Sequence, residues 1–134
     1  MAARKLPKPT DAELEILRAL WRKGDSTVRE VLEAIGRRPN PGYTTVLKLL
    51  QIMTDKGLVV RDESQRAHVY RARLSEQETQ GQLIDHLLDR AFGGSAVELV
   101  MQTLSRGRAS EGELAEIRRL LAEEGAERPT GGKP

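Results

Sequence analysis

The chain has 134 residues, a net charge of +2, a charged fraction of 31% and no Cys. This length fits one domain or two small units that share a core, and it excludes a large multidomain enzyme. The lack of Cys excludes disulfide bonds, thiolate metal sites and a cysteine nucleophile. No apolar run approaches the ~20 residues of a membrane span, and the first residues lack the apolar stretch of a signal peptide. We therefore expect a soluble, cytoplasmic protein without membrane insertion.

The charge is distributed unevenly along the chain. Residues 1–74 hold 15 Lys and Arg against 9 Asp and Glu, a balance of +6. Residues 75–134 hold 7 against 11, a balance of −4. A basic half joined to an acidic half indicates that the first half meets a polyanion and that the second half has a different role.

Five segments begin with Ser or Thr followed three residues later by Glu, which is the signature of a capping box at a helix start. The hydroxyl can accept from the third helical amide, and the Glu carboxylate can reach back to the amide of the cap residue. The pairs are Thr10 with Glu13, Thr27 with Glu30, Ser75 with Glu78, Ser95 with Glu98, and Ser110 with Glu113. Each pair leads into apolar residues at helical spacing, so the pattern predicts five helix starts.

The first half predicts three helices followed by a β-hairpin. The helices are predicted at Asp11–Lys23, Val28–Ile35 and Tyr43–Lys56, and the strands at Leu58–Arg61 and Ala67–Arg73. Because side chains alternate along a strand, we expect Tyr70 on the core side of the hairpin. This element order is typical of a winged helix-turn-helix, although small protein-binding α+β modules share it.

The second half predicts three more amphipathic helices, at about Glu76–Phe92, Ala96–Arg106 and Glu111–Glu124. Three such helices form a poor core on their own, so pairing with the same segment of a second chain is the economical arrangement. Packing on the first half of the same chain is the alternative. The predicted dimerisation residues are Leu83, Leu87, Leu88, Val97, Met101, Leu104, Leu114, Ile117 and Leu121.

The predicted fold class is mainly α with a small β-hairpin, in which an N-terminal winged helix-turn-helix precedes a three-helix C-terminal dimerisation region. The predicted boundaries are an N-terminal arm at 1–9, a winged helix at 10–74, a helical dimerisation region at 75–124 and a flexible tail at 125–134.

The third helix carries the candidate functional surface. Its polar residues fall on one face and its apolar residues largely on another, and short hydroxyls with one Lys suit entry into a DNA major groove. Basic residues flank it before its start and on the hairpin. The candidate DNA-binding residues are Arg37, Arg38, Tyr43, Thr44, Thr45, Lys48, Gln51, Arg66 and Arg71. An ordinary solvated helix face is the alternative, and the flanking Arg residues favour DNA.

Two stretches resemble the penicillinase-repressor family of winged-helix regulators, the BlaI/MecI/CopY type. They are LEILRALWRK at Leu14–Lys23 and GYTTVLKLLQIMTDKGLVVRDESQRAHVYRARLS at Gly42–Ser75. The resemblance implies a homodimeric transcriptional repressor on a palindromic operator, with its recognition helix at Tyr43–Lys56. For the members that sense β-lactams, it further implies release through a membrane-bound sensor peptidase, which is a possible further partner.

Two features depart from the family pattern. The copper-sensing members carry a Cys-rich C-terminal motif, which this chain lacks. The cleavage step of the β-lactam-sensing members is Asn-Phe, whereas this chain has Val100-Met101 in that region. The family's proteolytic switch is therefore not predicted at that step.

No constellation of residues predicts an enzyme, a metal site or a cofactor. His86 and Asp89 stand at helical spacing, but two ligands do not make a metal site. For His68 we expect a role in packing or in facing a phosphate. The alternative function that remains open is a winged-helix module that binds proteins without specific DNA binding.

Overall fold

The structure is a computed structural model that describes residues 7–36 and 38–127. Within these residues the chain forms six helices and two strands. They are α1 (Asp11–Lys23), α2 (Val28–Ile35), α3 (Tyr43–Lys56), β1 (Val59–Asp62), β2 (Val69–Ala72), α4 (Glu76–Ala91), α5 (Ala96–Ser105) and α6 (Glu111–Glu127). The predicted fold class is confirmed: the protein is mainly helical and begins with a winged helix-turn-helix.

The chain divides into two compact units, and the division falls inside α4, after Asp85. We call residues 7–85 the winged-helix unit and residues 86–127 the C-terminal unit. The predicted boundary at residue 74 and the pairing role of residues 75–124 stay predictions. Helix α6 continues to Glu127, into the segment predicted as a tail. The rest of that tail lies outside the described residues, as does most of the predicted N-terminal arm.

Four of the five predicted capping boxes form with both hydrogen bonds, and the fifth, at Ser95, forms with one. At α1, the Thr10 hydroxyl accepts from the Glu13 amide at 3.2 Å, and the Glu13 carboxylate accepts from the Thr10 amide at 2.9 Å. The same reciprocal pairs form at Thr27, Ser75 and Ser110. At α5, the Ser95 hydroxyl accepts from the Glu98 amide at 3.0 Å. These local bonds satisfy amides that a helix start otherwise leaves without partners.

The hydrophobic core lies in the winged-helix unit, where α1, α2, α3 and the hairpin meet. Its buried apolar residues are Ile16, Leu17, Ala19, Leu20, Val28, Val31, Val46, Leu50, Met53, Leu58, Val59 and Tyr70. The expected core position of Tyr70 is confirmed, since only 1% of its surface is exposed. These residues come from every element of the unit up to β2, so the core fixes where α3 and the hairpin stand relative to each other.

The two strands of the hairpin are antiparallel. Val59 pairs with Ala72 at one end of the ladder, and Asp62 pairs with Val69 at the other. The hairpin begins one residue later than the predicted first strand. Leu58 is used by a Schellman motif that ends α3: its amide donates to the Met53 carbonyl, and the Gly57 amide donates to Thr54. The second strand is shorter than predicted, because β1 ends at Asp62 and offers no partners beyond Val69.

Three contacts between residues distant in sequence complete this unit. Ser26, in the turn before α2, forms a β-bridge with Tyr70 through two backbone hydrogen bonds of 3.0 and 2.7 Å. The Trp21 indole N–H donates to the Leu74 carbonyl at 3.0 Å. The Lys56 ammonium donates to the buried Glu13 carboxylate at 2.7 Å and so ties the end of α3 to the start of α1.

The C-terminal unit lacks such a core. Of residues 86–125, for which burial is described, none is buried. Large apolar side chains are exposed instead, including Val97 and Leu121 at 67% each and Met101 at 60%. No helix among the described residues is long and apolar enough to cross a membrane.

Candidate nucleic-acid interface

Helix α3 turns one face into the core and the other to the surface. Val46, Leu50 and Met53 are fully buried, which fixes the rotation of the helix about its axis. The opposite side is exposed and carries four of the predicted DNA-binding residues, Thr44, Thr45, Lys48 and Gln51, while a fifth, Tyr43, is exposed at the start of the helix. Two hydroxyls, an amide and an ammonium group therefore line one solvent-facing surface of the helix. Ile52 is also exposed on this helix and is an apolar side chain that was not among the predicted site residues.

The start of α3 differs from the starts of α1 and α2. Its cap residue is Gly42, which supplies no side-chain hydrogen bond, whereas Thr10 and Thr27 close the other two starts with capping boxes. The first-turn amides of α3 therefore remain available, and the helix dipole places a partial positive charge there. An anion next to Tyr43 would be stabilised by both.

The hairpin presents two of the predicted Arg residues. Arg66 lies in the loop between the strands and Arg71 lies on β2, and both are exposed. The Asp62 carboxylate accepts from the Ser64 amide at 2.9 Å and shapes the start of that loop. This bond, with Arg71 contributing a smaller electrostatic effect, holds the pKa of Asp62 below its ordinary value. The loop is thus locally ordered at its base, and it carries a basic side chain toward its tip.

Arg61 has an internal role. Its Nε atom lies 2.7 Å from the Glu63 carboxylate. A hydrogen bond with the Tyr70 side chain and the charge of Glu63 raise the pKa of Arg61. Because its charge is already paired, Arg61 contributes less to an anion-binding surface than Arg66 and Arg71 do.

A further Arg, which sequence reasoning missed, lies beside the start of α3. The Arg29 guanidinium of α2 stacks over the Tyr43 ring, with 5.5 Å between its central carbon and the ring centroid. Both residues line a cleft of about 480 Å³ that also includes Arg66 and His68 of the hairpin loop. Arg29 looks like an ordinary polar helix residue in the sequence, since the cleft is formed by three elements far apart along the chain.

Two of the predicted Arg residues and the two His residues complete the set of candidates. Arg38 is exposed in the segment between α2 and α3, and Arg37 lies outside the described residues. His68 precedes β2 and is exposed, and His86 is exposed on α4. Within residues 7–36 and 38–127, no group of three or more His, Asp or Glu residues could hold a metal ion.

The predicted dimerisation residues are accessible to different degrees. Leu87, Val97, Met101, Leu104 and Leu121 are exposed. Leu88, Leu114 and Ile117 are half-buried within the C-terminal unit, and Leu83 is half-buried within the winged-helix unit. The exposed members form apolar surface that a single chain leaves in contact with water.

The fold and the exposed basic surface define a winged helix-turn-helix protein, and comparison with known proteins identifies its family. The chain belongs to the penicillinase repressor family, whose family model matches residues 9–123. The resemblance noted from the sequence is thereby confirmed. The family is one of transcriptional repressors and not of enzymes.

Two individual relatives and one solved structure show what the chain is similar to. The chain is 33% identical over 121 residues to the transcriptional regulator BlaI of Mycobacterium tuberculosis (strain CDC 1551 / Oshkosh), which covers 89% of this chain and 86% of that protein. It is 23% identical over 120 residues to the penicillinase repressor of Bacillus licheniformis, covering 90% and 94%. A solution structure of the DNA-binding domain of the repressor BlaI aligns with a TM-score of 0.48 at 24% identity, over 57% of this chain and 93% of that one.

Proposed function

We propose that this protein is a transcriptional repressor that binds double-stranded operator DNA as a homodimer. The observation that carries the proposal is the exposed polar face of α3, which begins at an uncapped helix start and is flanked by Arg66 and Arg71. Membership of a family of transcriptional repressors supports it. In this proposal, the protein acts by occupying its operator in the cytoplasm and needs no cofactor.

In the proposed complex, α3 enters the major groove. Thr44, Thr45, Lys48 and Gln51 face the base edges and the adjacent phosphates, since hydroxyl, amide and ammonium groups match the acceptors exposed there. The uncapped start of α3 takes a phosphate near Tyr43. Arg66 reaches the minor groove or its phosphates from the hairpin loop.

The C-terminal unit is proposed to hold two chains together. Its exposed apolar side chains, such as Val97, Met101 and Leu121, would leave water by meeting the same surface of a second chain. A symmetric pair presents two α3 helices to one duplex, and this geometry matches a palindromic operator with two half-sites. The proposed division of labour assigns residues 10–74 to DNA and residues 75–124 to pairing.

The proposal is tested by DNA binding with Lys48→Ala and with Arg18→Ala as a charge-matched control. An operator is first selected with the wild-type chain from duplexes with a randomised core. We expect Lys48→Ala to weaken operator binding about tenfold, because Lys48 lies on the exposed face of α3. Arg18, exposed on α1, should change affinity little. The measurement is fluorescence anisotropy across a salt series, in which wild-type affinity should fall steeply as salt rises.

Two results would contradict the proposal. One is a wild-type chain that shows no salt-dependent duplex binding, which would favour the protein-interaction module instead. The other is equal affinity of Lys48→Ala and wild type, which would remove α3 from the interface. Arg66→Ala gives a finer test: we expect weaker binding to every sequence, with little change in the preferred sequence.

A further inference from the structure

A cleft of about 480 Å³ separates the starts of α2 and α3 from the loop of the hairpin. Its walls include the apolar side chains of Val28, Leu47 and Ala67, and its polar groups include the guanidinium groups of Arg29 and Arg66. All of these residues belong to the winged-helix unit. An apolar wall beside two cationic groups is the surface that a deoxyribose ring and its phosphates would require.

The charge of Arg29 is held in place without being neutralised. Its guanidinium lies over the face of the Tyr43 ring, which is a cation–π arrangement. Among the described residues, neither Arg29 nor Arg66 forms an ion pair. The neighbouring Glu30 carboxylate is occupied by the Thr27 amide in the capping box of α2. A ligand in the cleft would therefore meet a positioned cation that keeps its capacity for a phosphate.

Stacking on Tyr43 also lowers the cost of binding. A free Arg side chain loses considerable rotamer entropy when it binds, whereas a stacked guanidinium has lost part of that freedom already. The N–H groups at the edge of its plane remain able to donate, because the ring covers only a face. The Tyr43 ring thus restricts the Arg29 guanidinium, while the Tyr43 hydroxyl can itself donate to a phosphate.

We propose that this cleft binds the sugar–phosphate backbone of one DNA strand, with Arg29 donating to a phosphate and Tyr43 holding the Arg29 guanidinium. This inference rests on the proposed function and adds to it a residue of α2 that does not lie on the recognition helix. The backbone is favoured over a base edge because the cleft combines cationic donors with apolar walls. Arg29 would fix the position of the protein on the duplex and would read no base.

The test couples a protein change with a change in the DNA. Arg29→Ala is measured on the selected operator, and then on operators that carry one uncharged methylphosphonate at each phosphate in turn. We expect Arg29→Ala to weaken binding about tenfold. We also expect it to weaken the salt dependence, so that the negative slope of log affinity against log salt becomes shallower by about one. At one phosphate of each half-site, the methylphosphonate should cost wild type affinity and cost Arg29→Ala almost nothing, because the contact is already absent.

Four further variants separate this role from a structural one. Arg18→Ala removes the same charge outside the cleft and should leave the salt slope close to that of wild type. Arg29→Lys keeps the charge without the planar fork and should retain the coupling to the phosphate in weaker form. Tyr43→Leu removes the aromatic face and should reduce the coupling of Arg29, whereas Tyr43→Phe keeps that face and should preserve it. Trp21 fluorescence checks that each variant retains the winged-helix fold.

The outcomes separate the two proposals. A wild-type chain that binds no duplex overturns the proposed function itself. A wild-type chain that binds, with Arg29→Ala matching Arg18→Ala in affinity and salt slope, overturns the cleft assignment alone. The cleft assignment is also overturned if no single methylphosphonate shows coupling, or if polyglutamate binds wild type in an Arg29-dependent manner while duplex binding is independent of Arg29.

Discussion

The two units of this chain contain similar helices but treat their apolar residues differently. In the winged-helix unit, α1, α2, α3 and the hairpin bury apolar side chains such as Val46, Leu50 and Tyr70 almost completely. In the C-terminal unit, none of residues 86–125 is buried, and Val97 and Leu121 are mostly exposed. The first unit buries most of its large apolar side chains within one chain, whereas the second leaves several of them exposed to water.

The hydrogen bonds and ion pairs of the two units also differ in how far apart in sequence their partners lie. The winged-helix unit has interactions that span the sequence, such as Glu13 with Lys56 and Trp21 with Leu74. The C-terminal unit has local interactions instead, which include the Ser110 capping box and the pairing of Arg119 with Glu116 and Glu123. Local interactions of this kind support a helix but do not fix how helices assemble. The first unit therefore has its own hydrophobic core held by contacts between distant segments, and the exposed apolar side chains of the second unit support the proposed pairing.

The strongest test of the comparison is a matched pair of core truncations. Leu50→Ala removes a fully buried side chain and should lower the free energy of unfolding of the winged-helix unit by about 2–5 kcal/mol. Leu121→Ala removes the same atoms from a site that is 67% exposed and should leave that unit almost unchanged. Urea unfolding followed by Trp21 fluorescence measures this, because Trp21 is the single Trp of the chain. Equal effects of the two variants would contradict the comparison.

The second test addresses the partner of the C-terminal unit. Leu87→Asp and Leu121→Asp place a carboxylate at exposed apolar positions. In a dimer formed by this surface the charge would be buried without a partner, so we expect the dimer dissociation constant to rise on the order of 100-fold or more. Sedimentation velocity gives the oligomeric state, and Trp21 fluorescence should remain that of wild type. A dimer that survives both substitutions would remove this surface from the interface.

The third and smallest test uses pH. Only 2% of Glu13 is exposed. Burial alone would raise the pKa of Glu13, but hydrogen bonds from Lys56 and the Thr10 amide outweigh it and hold the pKa below its ordinary value. A lowered folded pKa contributes stability that is fully present above the unfolded value and is lost as pH falls through the folded value. Glu13→Gln should therefore lower the free energy of unfolding by about 2 kcal/mol at neutral pH and flatten its decline in acid.

The control for this test is Glu116→Gln, which removes an exposed carboxylate paired with Arg119 in the C-terminal unit. We expect it to change neither the midpoint in urea nor the acid limb appreciably, because exposed ion pairs contribute little. If Glu13→Gln behaved like Glu116→Gln, the link between α1 and α3 would carry no net stability.

Local signals made much of the fold predictable. The bounds of α1, α2 and α3 agree with the sequence prediction, because capping residues and glycines act within one helical turn. The core position of Tyr70 followed from strand alternation. The start of β1 was wrong by one residue, since Leu58 belongs to the helix-ending motif. The helix-ending motif and the strand compete for the Leu58 amide, and the sequence pattern does not predict which of the two will use it.

The candidate site was predictable in part. The exposed face of α3 followed from helical periodicity, which separates Lys48 and Gln51 from the buried Leu50. The paired state of Arg61 and the position of Arg29 over Tyr43 could not be predicted in this way. Both depend on side chains that approach only when separate elements pack, and no spacing rule relates residues on different elements.

The sequence alone determined the helices, their starts, the polar face of α3 and the division between a basic and an acidic half. It could do so because capping and periodicity act within short segments, and because net charge follows from composition alone. Only the tertiary structure decided which Arg residues keep an unpaired charge, and that a cleft joins α2, α3 and the hairpin. It also decided that Val97, Met101 and Leu121 of the C-terminal unit stay exposed in one chain. These outcomes depend on packing between distant segments. That packing determines which of several similar side chains become buried or ion-paired and which stay exposed.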